Sequence, residues 1–363
     1  MSRMPTTRLG NSQLEVSRLG LGSIPFGTDV SEQEARRSLD RFEAAGGTLI
    51  DTANIYGGGF RGTHEERAGT SERTVGRIIK GRRDRFLVAT KGYWTMHHPI
   101  RPGGVGLSRR NLAEQLEASL RRLNVETIDL YQCHAYDFYT PVEETMEALD
   151  EFVQAGKIRC AGVSNWHGWG VAKANTLAAL SGSAPVVSNQ IWYNLADRVA
   201  EREIVPACRD QKVSIIAWGA LAQGFLTGDY RRGDRGPTPG SGIAGSEETE
   251  PSSWRNLAVE KNWDLLELLE RMAREHSRKL STVALRWMLQ AGQADVILLG
   301  GAQESHYAAS LETLEFQLSD EEVRELTEAS QPPLYYPNAF LDLFCLKESP
   351  FYGGLRPDGP AKT

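Results

Sequence analysis

A unit of short apolar run, loop and capped amphipathic helix recurs along this 363-residue chain, and nothing else in the sequence limits the fold so tightly. The runs are Leu19–Ile24, Thr48–Ile50, Phe86–Thr90, Ile128–Cys133, Ile158–Val163, Val186–Asn189, Val213–Trp218 and Val296–Leu299. Most are continuously apolar rather than alternating, as in strands buried on both faces. Between them, Ser31 with Glu34 reads as a capping box ahead of Ala35, Leu39, Phe42 and Ala45, with Gly46-Gly47 as the stop. Ser71-Glu72 opens a helix with Val75, Ile78 and Ile79 on one face, and Ser108 opens one carrying Leu112, Leu116, Leu120 and Leu123. Thr140-Pro141 with Glu143 starts another that reaches about Gln154. Asn262–His276, Ser281–Leu289 and a segment capped by Ser319 with Glu322 complete the helical pattern. Strands joined by helical crossovers pair in parallel. Eight such strands point to a closed barrel, although the count alone leaves a doubly wound sheet open.

The expected architecture is α/β, a (β/α)8 barrel of the TIM type, with one domain over residues 1–363. Thr7 to Val16, with Gly10-Asn11-Ser12 at the turn, reads as an N-terminal β-hairpin. Long loops are expected on the C-terminal face of the strands. A Gly-, Pro-, Ser- and charge-rich stretch at about 229–256 reads as mobile, and the tail from about 332 to 363 shows no clear periodicity. Hydrophobic content of 40% and charge of 24% suit a soluble protein with a large core. A net charge of -6 opposes nucleic-acid and anionic-membrane binding. The four cysteines are widely spaced without a CxxC pair, and His64-Glu65-Glu66-Arg67 lacks the second His of a zinc helix, so no metal site is expected. No apolar run approaches the roughly 18 residues of a membrane span. The reading is a cytoplasmic protein whose partners are small molecules. Oligomeric state is not legible.

Three of the runs lead into a polar residue where the core would take an apolar one. Asp51 follows Thr48–Ile50, Lys91 follows Phe86–Thr90, and His134 follows Ile128–Cys133. In a parallel barrel these ends share one rim, so the side chains converge there. Tyr56 lies five residues past Asp51 beside a glycine-rich loop. Taken singly, Asp51 and Lys91 read as a structural ion pair and His134 as a core residue. Together they have a chemical logic. A phenol with a pKa near 10 donates its proton poorly unless its anion is stabilised. A neighbouring ammonium lowers that pKa, a carboxylate keeps the ammonium charged and oriented, and a His positions a carbonyl oxygen. Such a site suits proton donation to an oxygen that gains negative charge as hydride adds to a carbonyl carbon.

Around these residues the sequence resembles the aldo-keto reductases, NAD(P)(H)-dependent oxidoreductases on a (β/α)8 barrel, and most of all their bacterial and channel-β-subunit branch. The matches are Asp51-Thr52-Ala53 with Tyr56-Gly57, Thr90-Lys91, and Ile128-Asp129-Leu130-Tyr131 leading to His134. They continue through Gly156-Lys157-Ile158-Arg159, Gly162-Val163-Ser164-Asn165, Gln190 with Tyr193-Asn194, and Gly224-Phe225-Leu226-Thr227-Gly228, in family order. The resemblance implies Tyr56 as general acid/base, Asp51 and Lys91 as its tuning partners and His134 as the residue orienting the substrate oxygen. It implies Ser164, Asn165 and Gln190 on the nicotinamide carboxamide and Trp218 stacked on its ring. Gly219, Ala220, Leu221 and Gln223 would follow the pyrophosphate. Gly300, Ala302, Gln303, His306 and Ser310 would hold the adenine end, aided by helix N-terminal N–H groups.

The chain departs from the family at three places. The frequent Gly-Lys-Tyr is Gly228-Asp229-Tyr230, Ala302-Gln303-Glu304 replaces the usual cations after Gly300-Gly301, and Trp218-Gly219-Ala220 replaces aromatic-Ser-Pro. These losses disfavour a 2′-phosphate, with Arg231, Arg232 and Arg235 as the loop cations placed to compensate. NADP(H) remains the first expectation for the cofactor and NAD(H) the second. Tyr93, Trp94, Phe60, Tyr136 and Trp166 are the candidate substrate contacts, suited to an aldehyde, ketone or sugar-like carbonyl or the matching alcohol. The alternatives are a nucleotide-binding regulatory subunit with little turnover, and a reductase of an activated alkene or keto-sugar in a biosynthetic pathway.

Overall fold

The structure is a computed structural model describing residues 4–57, 67–94, 104–239, 241–244, 253–291 and 293–345. Strands β1 (Thr6–Arg8) and β2 (Glu15–Ser17) form the antiparallel hairpin. Strands β3 (Leu19–Gly22), β4 (Leu49–Asp51), β5 (Leu87–Gly92), β6 (Ile128–Cys133), β7 (Ile158–Ser164), β8 (Val186–Trp192), β9 (Ser214–Trp218) and β10 (Val296–Leu299) form a closed barrel, with β10 pairing back onto β3. Every pairing in it is parallel. Closure decides between the two architectures that a strand count leaves open. By its contacts the chain separates into two compact units, Met1–Ser330 and Gln331–Thr363.

Alternation along the strands sorts the barrel side chains by height. Leu49, Ala89, Leu130, Val187, Ile216, Val296 and Leu298 form an inner apolar layer with Leu9, Leu14 and Val16 of the hairpin. The hairpin therefore plugs the N-terminal end, and Gly10 N–H donates to Ser214 Oγ at 2.7 Å. Two residues further along their strands, the inward positions become Asp51, Lys91 and Gln132. The apolar plug below and polar layer above follow from period-2 geometry and a common strand direction.

Outside the barrel, Ser31 and Ser319 form complete capping boxes with Glu34 and Glu322. Ser71 does not cap its helix. Thr70–Ile78 starts from Gly69 at φ 74°, and the Ser71 hydroxyl turns inward to Ser23 and Thr52. The helix Gly168–Ser181 escapes a periodicity reading because its buried face is built from Gly168, Gly170, Val171, Ala174, Asn175 and Ala178, small or polar residues that do not stand out. In the loop after β9, Tyr230 stacks on Phe225 at 5.9 Å and meets Trp254 at 5.3 Å, which anchors both ends of that stretch. Within the C-terminal unit, Asn338–Cys345 is helical and pairs the rings of Phe340 and Phe344 at 4.6 Å. Two turns are too few to declare a period. No helix among the described residues is long and apolar enough to cross a membrane.

Close approach makes one helical glycine obligatory. A Cβ on Gly76 would lie 2.4 Å from the Leu123 carbonyl oxygen at the end of helix Arg109–Leu123. Gly76→Ala should therefore destabilise the protein by about 1–3 kcal/mol, although alanine gains about 1 kcal/mol in helix propensity. The urea midpoint checks the sign, which propensity alone would reverse.

Candidate active site

Asp51 ends β4 and Lys91 lies near the end of β5, 2% and 0% exposed. The segment after Asp51 stays hydrogen-bonded to β5, through Thr52 N–H to Ala89 O at 2.9 Å and Asn54 N–H to Lys91 O at 3.2 Å. This carries Tyr56 back over Lys91. Gly57 then turns away at φ +98°, where a Cβ would lie 2.8 Å from Arg67 O. The Lys91 ammonium donates to Asp51 Oδ1 at 2.5 Å, Thr52 O at 2.9 Å and Tyr56 Oη at 2.9 Å. All three of its N–H bonds are engaged. Asp51 Oδ2 accepts from the side-chain amides of Gln190 at 2.8 Å and Gln132 at 3.1 Å. His134 stands edge-on to Tyr56, ring centroids 5.7 Å apart, and to Trp94 at 4.6 Å.

Burial pushes the Tyr56 phenol above its ordinary pKa, outweighing the downward pull of Lys91. The sequence expectation had the opposite sign. An ammonium lowers a phenol's pKa, but the site's desolvation, invisible in the sequence, raises it further. For Lys91, burial works against the charge, yet Asp51 and Tyr56 raise its pKa overall. His134 is held well below the usual histidine value by burial and by the Lys91 charge. Near neutral pH the arrangement is thus a protonated phenol, an ammonium and an uncharged imidazole.

On the neighbouring strands, Ser164 Oγ donates to Gln190 O at 2.9 Å. Asn165, at φ 57°, donates through Nδ2 to His134 O at 3.1 Å and accepts from Trp218 Nε1 at 2.9 Å. Trp218 rests against Trp192 at 4.9 Å, and Gly219 admits no side chain because a Cβ would meet that Trp192 ring at 2.3 Å. Amide, hydroxyl and indole groups thus cluster beside Tyr56 and His134, a donor set that fits a nicotinamide carboxamide and ring. Gln190 Nε2 is shared between Asp51 and Gln132, which leaves its Oε1 as the atom to accept from a ligand. Beyond Ala220 and Leu221, the residues Ala222, Gln223 and Gly224 take φ values of 49°, 52° and 100° in succession. Left-handed backbone at a non-glycine costs about 1–3 kcal/mol and concentrates at ligand-binding turns.

Gly300, Ala302, Gln303 and His306 are exposed around the start of helix Glu304–Leu311, whose first turn has no side-chain cap. Ser310 lies apart from them. It is buried near the far end of that helix, and its hydroxyl donates to His306 O at 2.9 Å. Glu304 is paired with Arg41 at 2.6 Å and Arg37 at 3.5 Å. Of the loop cations, Arg231 is paired with Glu270 at 3.2 Å and Arg232 with Glu260, Asp264 and Glu267, all on helix Glu260–Glu275. Among the substrate candidates, Tyr93, Trp94 and Tyr136 are half-buried. Trp166 is buried and backs Tyr136 at 5.0 Å. Phe60 lies outside the described residues. Gln132, Trp192 and Asn54 escape a sequence reading. The usable signal for Gln132 is its parity, since Leu130, Gln132 and His134 alternate along one side of β6 and its exit.

The buried imidazole ties stability to pH. The folded chain keeps His134 neutral, whereas the unfolded chain binds a proton there below about pH 6.5, so stability falls with pH by up to about 1.4 kcal/mol per unit. His134→Gln removes that contribution. Between pH 8 and pH 5 the wild type should therefore lose more unfolding free energy than the variant, as read by urea titration.

The model of the Aldo/keto reductase family matches residues 18–331. An uncharacterised oxidoreductase, YrpG, of Bacillus subtilis (strain 168) is 33% identical over 335 residues, spanning 91% of this chain and 97% of the relative. Norsolorinic acid reductase of Aspergillus flavus is 31% identical over 360 residues, 93% of this chain and 85% of the relative. Aryl-alcohol dehydrogenase [NADP(+)] of Phanerodontia chrysosporium is 30% identical over 349 residues, 89% of this chain and 87% of the relative. Matched along nearly its whole barrel, the chain belongs to the aldo/keto reductase family and is an oxidoreductase of that family.

Proposed function

We propose that the protein interconverts an aromatic aldehyde or ketone with its alcohol, using a nicotinamide cofactor and Tyr56 as the proton donor. The single observation that carries this reading is the contact of the Lys91 ammonium with Tyr56 Oη at 2.9 Å, inside a site that keeps the phenol protonated. When bound, the cofactor supplies the hydride that adds to the carbonyl carbon. Ser164, Asn165 and Gln190 would hold its carboxamide, and Trp218 would lie against its ring. In the direction of reduction, the substrate oxygen sits between Tyr56 Oη and the neutral His134 ring. As the carbonyl carbon gains hydride, the Tyr56 proton passes to the oxygen, and Lys91 stabilises the phenolate left behind. Alcohol oxidation runs the same proton transfer in reverse.

Half-buried Trp94 against His134, with Tyr93 beside it, supports an aromatic substrate. Relatives named norsolorinic acid reductase and aryl-alcohol dehydrogenase agree with that class. NADP(H) is the cofactor we assign first. Although Glu304 brings an acid to the adenine-end helix, Arg37 and Arg41 neutralise it, so its charge does not bar a 2′-phosphate.

Tyr56→Phe should lower turnover of an aryl aldehyde by about 10²–10⁴-fold, the usual worth of a positioned acid. Cofactor binding, followed by quenching of tryptophan fluorescence, should be unchanged. Full turnover in Tyr56→Phe would remove the proposed mechanism. In parallel titrations NADPH should bind more tightly than NADH, and the reverse order would reassign the cofactor.

A further inference from the structure

We propose that Gln132 is a positioning residue for proton transfer at Tyr56, holding the Asp51 carboxylate so that the Lys91 ammonium stays directed at the phenol oxygen. The inference rests on the reading of Tyr56 as proton donor. Gln132 is fully buried on β6, in register with Lys91 on β5. Its Nε2 donates to Asp51 Oδ2 at 3.1 Å, and its Oε1 accepts from Gln190 Nε2 at 3.3 Å. Gln190 Nε2 also reaches Asp51 Oδ2 at 2.8 Å, so two amides and one carboxylate oxygen close a ring.

The Lys91 ammonium has three N–H bonds, already directed at Asp51 Oδ1, Thr52 O and Tyr56 Oη. A second carboxylate oxygen left without a donor in this buried space would compete for one of them. Thr52 O is fixed by the backbone and Asp51 carries the opposite charge, so the bond to the neutral Tyr56 phenol is the one most readily lost. Gln132 and Gln190 satisfy Oδ2 and remove that competitor. The amides also bring no charge of their own, so they hold the carboxylate without adding to the field at Tyr56. Asp51 on β4, Lys91 on β5 and His134 after β6 are the titratable groups around Tyr56 among the described residues.

The test compares two substitutions of similar volume in the full chain, assayed for aryl aldehyde reduction across pH. Gln132→Met removes one of the two amide donors on Asp51 Oδ2, together with the acceptor that orients Gln190. It should lower kcat roughly ten- to a hundredfold, the worth of one hydrogen bond to a charged group, with KM for NADPH unchanged. It should also move the alkaline limb of the profile to higher pH, because Lys91 then supports the phenolate less well. Gln132→Glu restores a donor only while its own carboxyl is protonated. Its activity should approach wild type at the acid end and fall away as that group ionises. Wild-type kcat with an unmoved limb in Gln132→Met overturns the proposal. So does an equal, pH-independent loss in both variants, which marks a packing effect. Should Gln132→Met fail to fold, the profile of Gln132→Glu decides alone. Absence of turnover in the wild type would instead count against the proposed function, which keeps the two failures distinct.

Discussion

Everything at the rim depends on the buried ion pair between Asp51 and Lys91. Removing two charges from water costs several kcal/mol for each ion, and attraction between them offsets this only when the remaining lone pairs and protons are also engaged. Here they are. The ammonium adds Thr52 O and Tyr56 Oη, and the carboxylate adds two side-chain amides. A pair so completely engaged has little freedom to rearrange. That rigidity sets the place of the phenol, because Tyr56 is positioned by the same ammonium that would stabilise its anion.

The eight-stranded parallel sheet was legible because continuous apolar runs and capped helices repeat along the chain, whereas its closure into a barrel took the pairing of β10 with β3 to decide. Convergence of Asp51, Lys91 and His134 followed from strand direction, and Tyr56 was placed beside them by its spacing from Asp51. What stayed hidden has physical causes. The direction of the Tyr56 shift depends on desolvation, which belongs to the packed site rather than to any residue. The helix Gly168–Ser181 hides its inner face behind small or polar residues. Ser310, which the resemblance groups with Gly300–Gln303, lies near the far end of its helix and is buried, a separation that only the helical geometry reveals. At the two ends of the Gly- and Pro-rich stretch after β9, Tyr230 and Trp254 join the aromatic cluster around Phe225 and Trp263, contacts that composition does not announce.

The opposite side of the rim is built by a different device. Around the Asp51 pair, side-chain charges are matched; around Trp218, backbone conformations are held against preference. Asn165, Ala222 and Gln223 all take positive φ, and Gly219 permits an indole to lie where a side chain would stand. Such geometry persists only where packing enforces it. At Asn165 the Trp218 indole hydrogen bond, with Trp192 packed behind that indole, helps hold the conformation, and at Ala222 the backbone N–H bonds back to Gly219 O at 2.8 Å.

The hairpin beneath the barrel has a consequence for proton traffic. With Leu9, Leu14 and Val16 joined to the inner apolar layer, apolar side chains of the hairpin cover the lower end of the barrel. If Tyr56 is the proton donor we propose, the rim that carries Asp51, Lys91 and Gln132 is the side from which its proton is renewed, the side on which substrate would also enter.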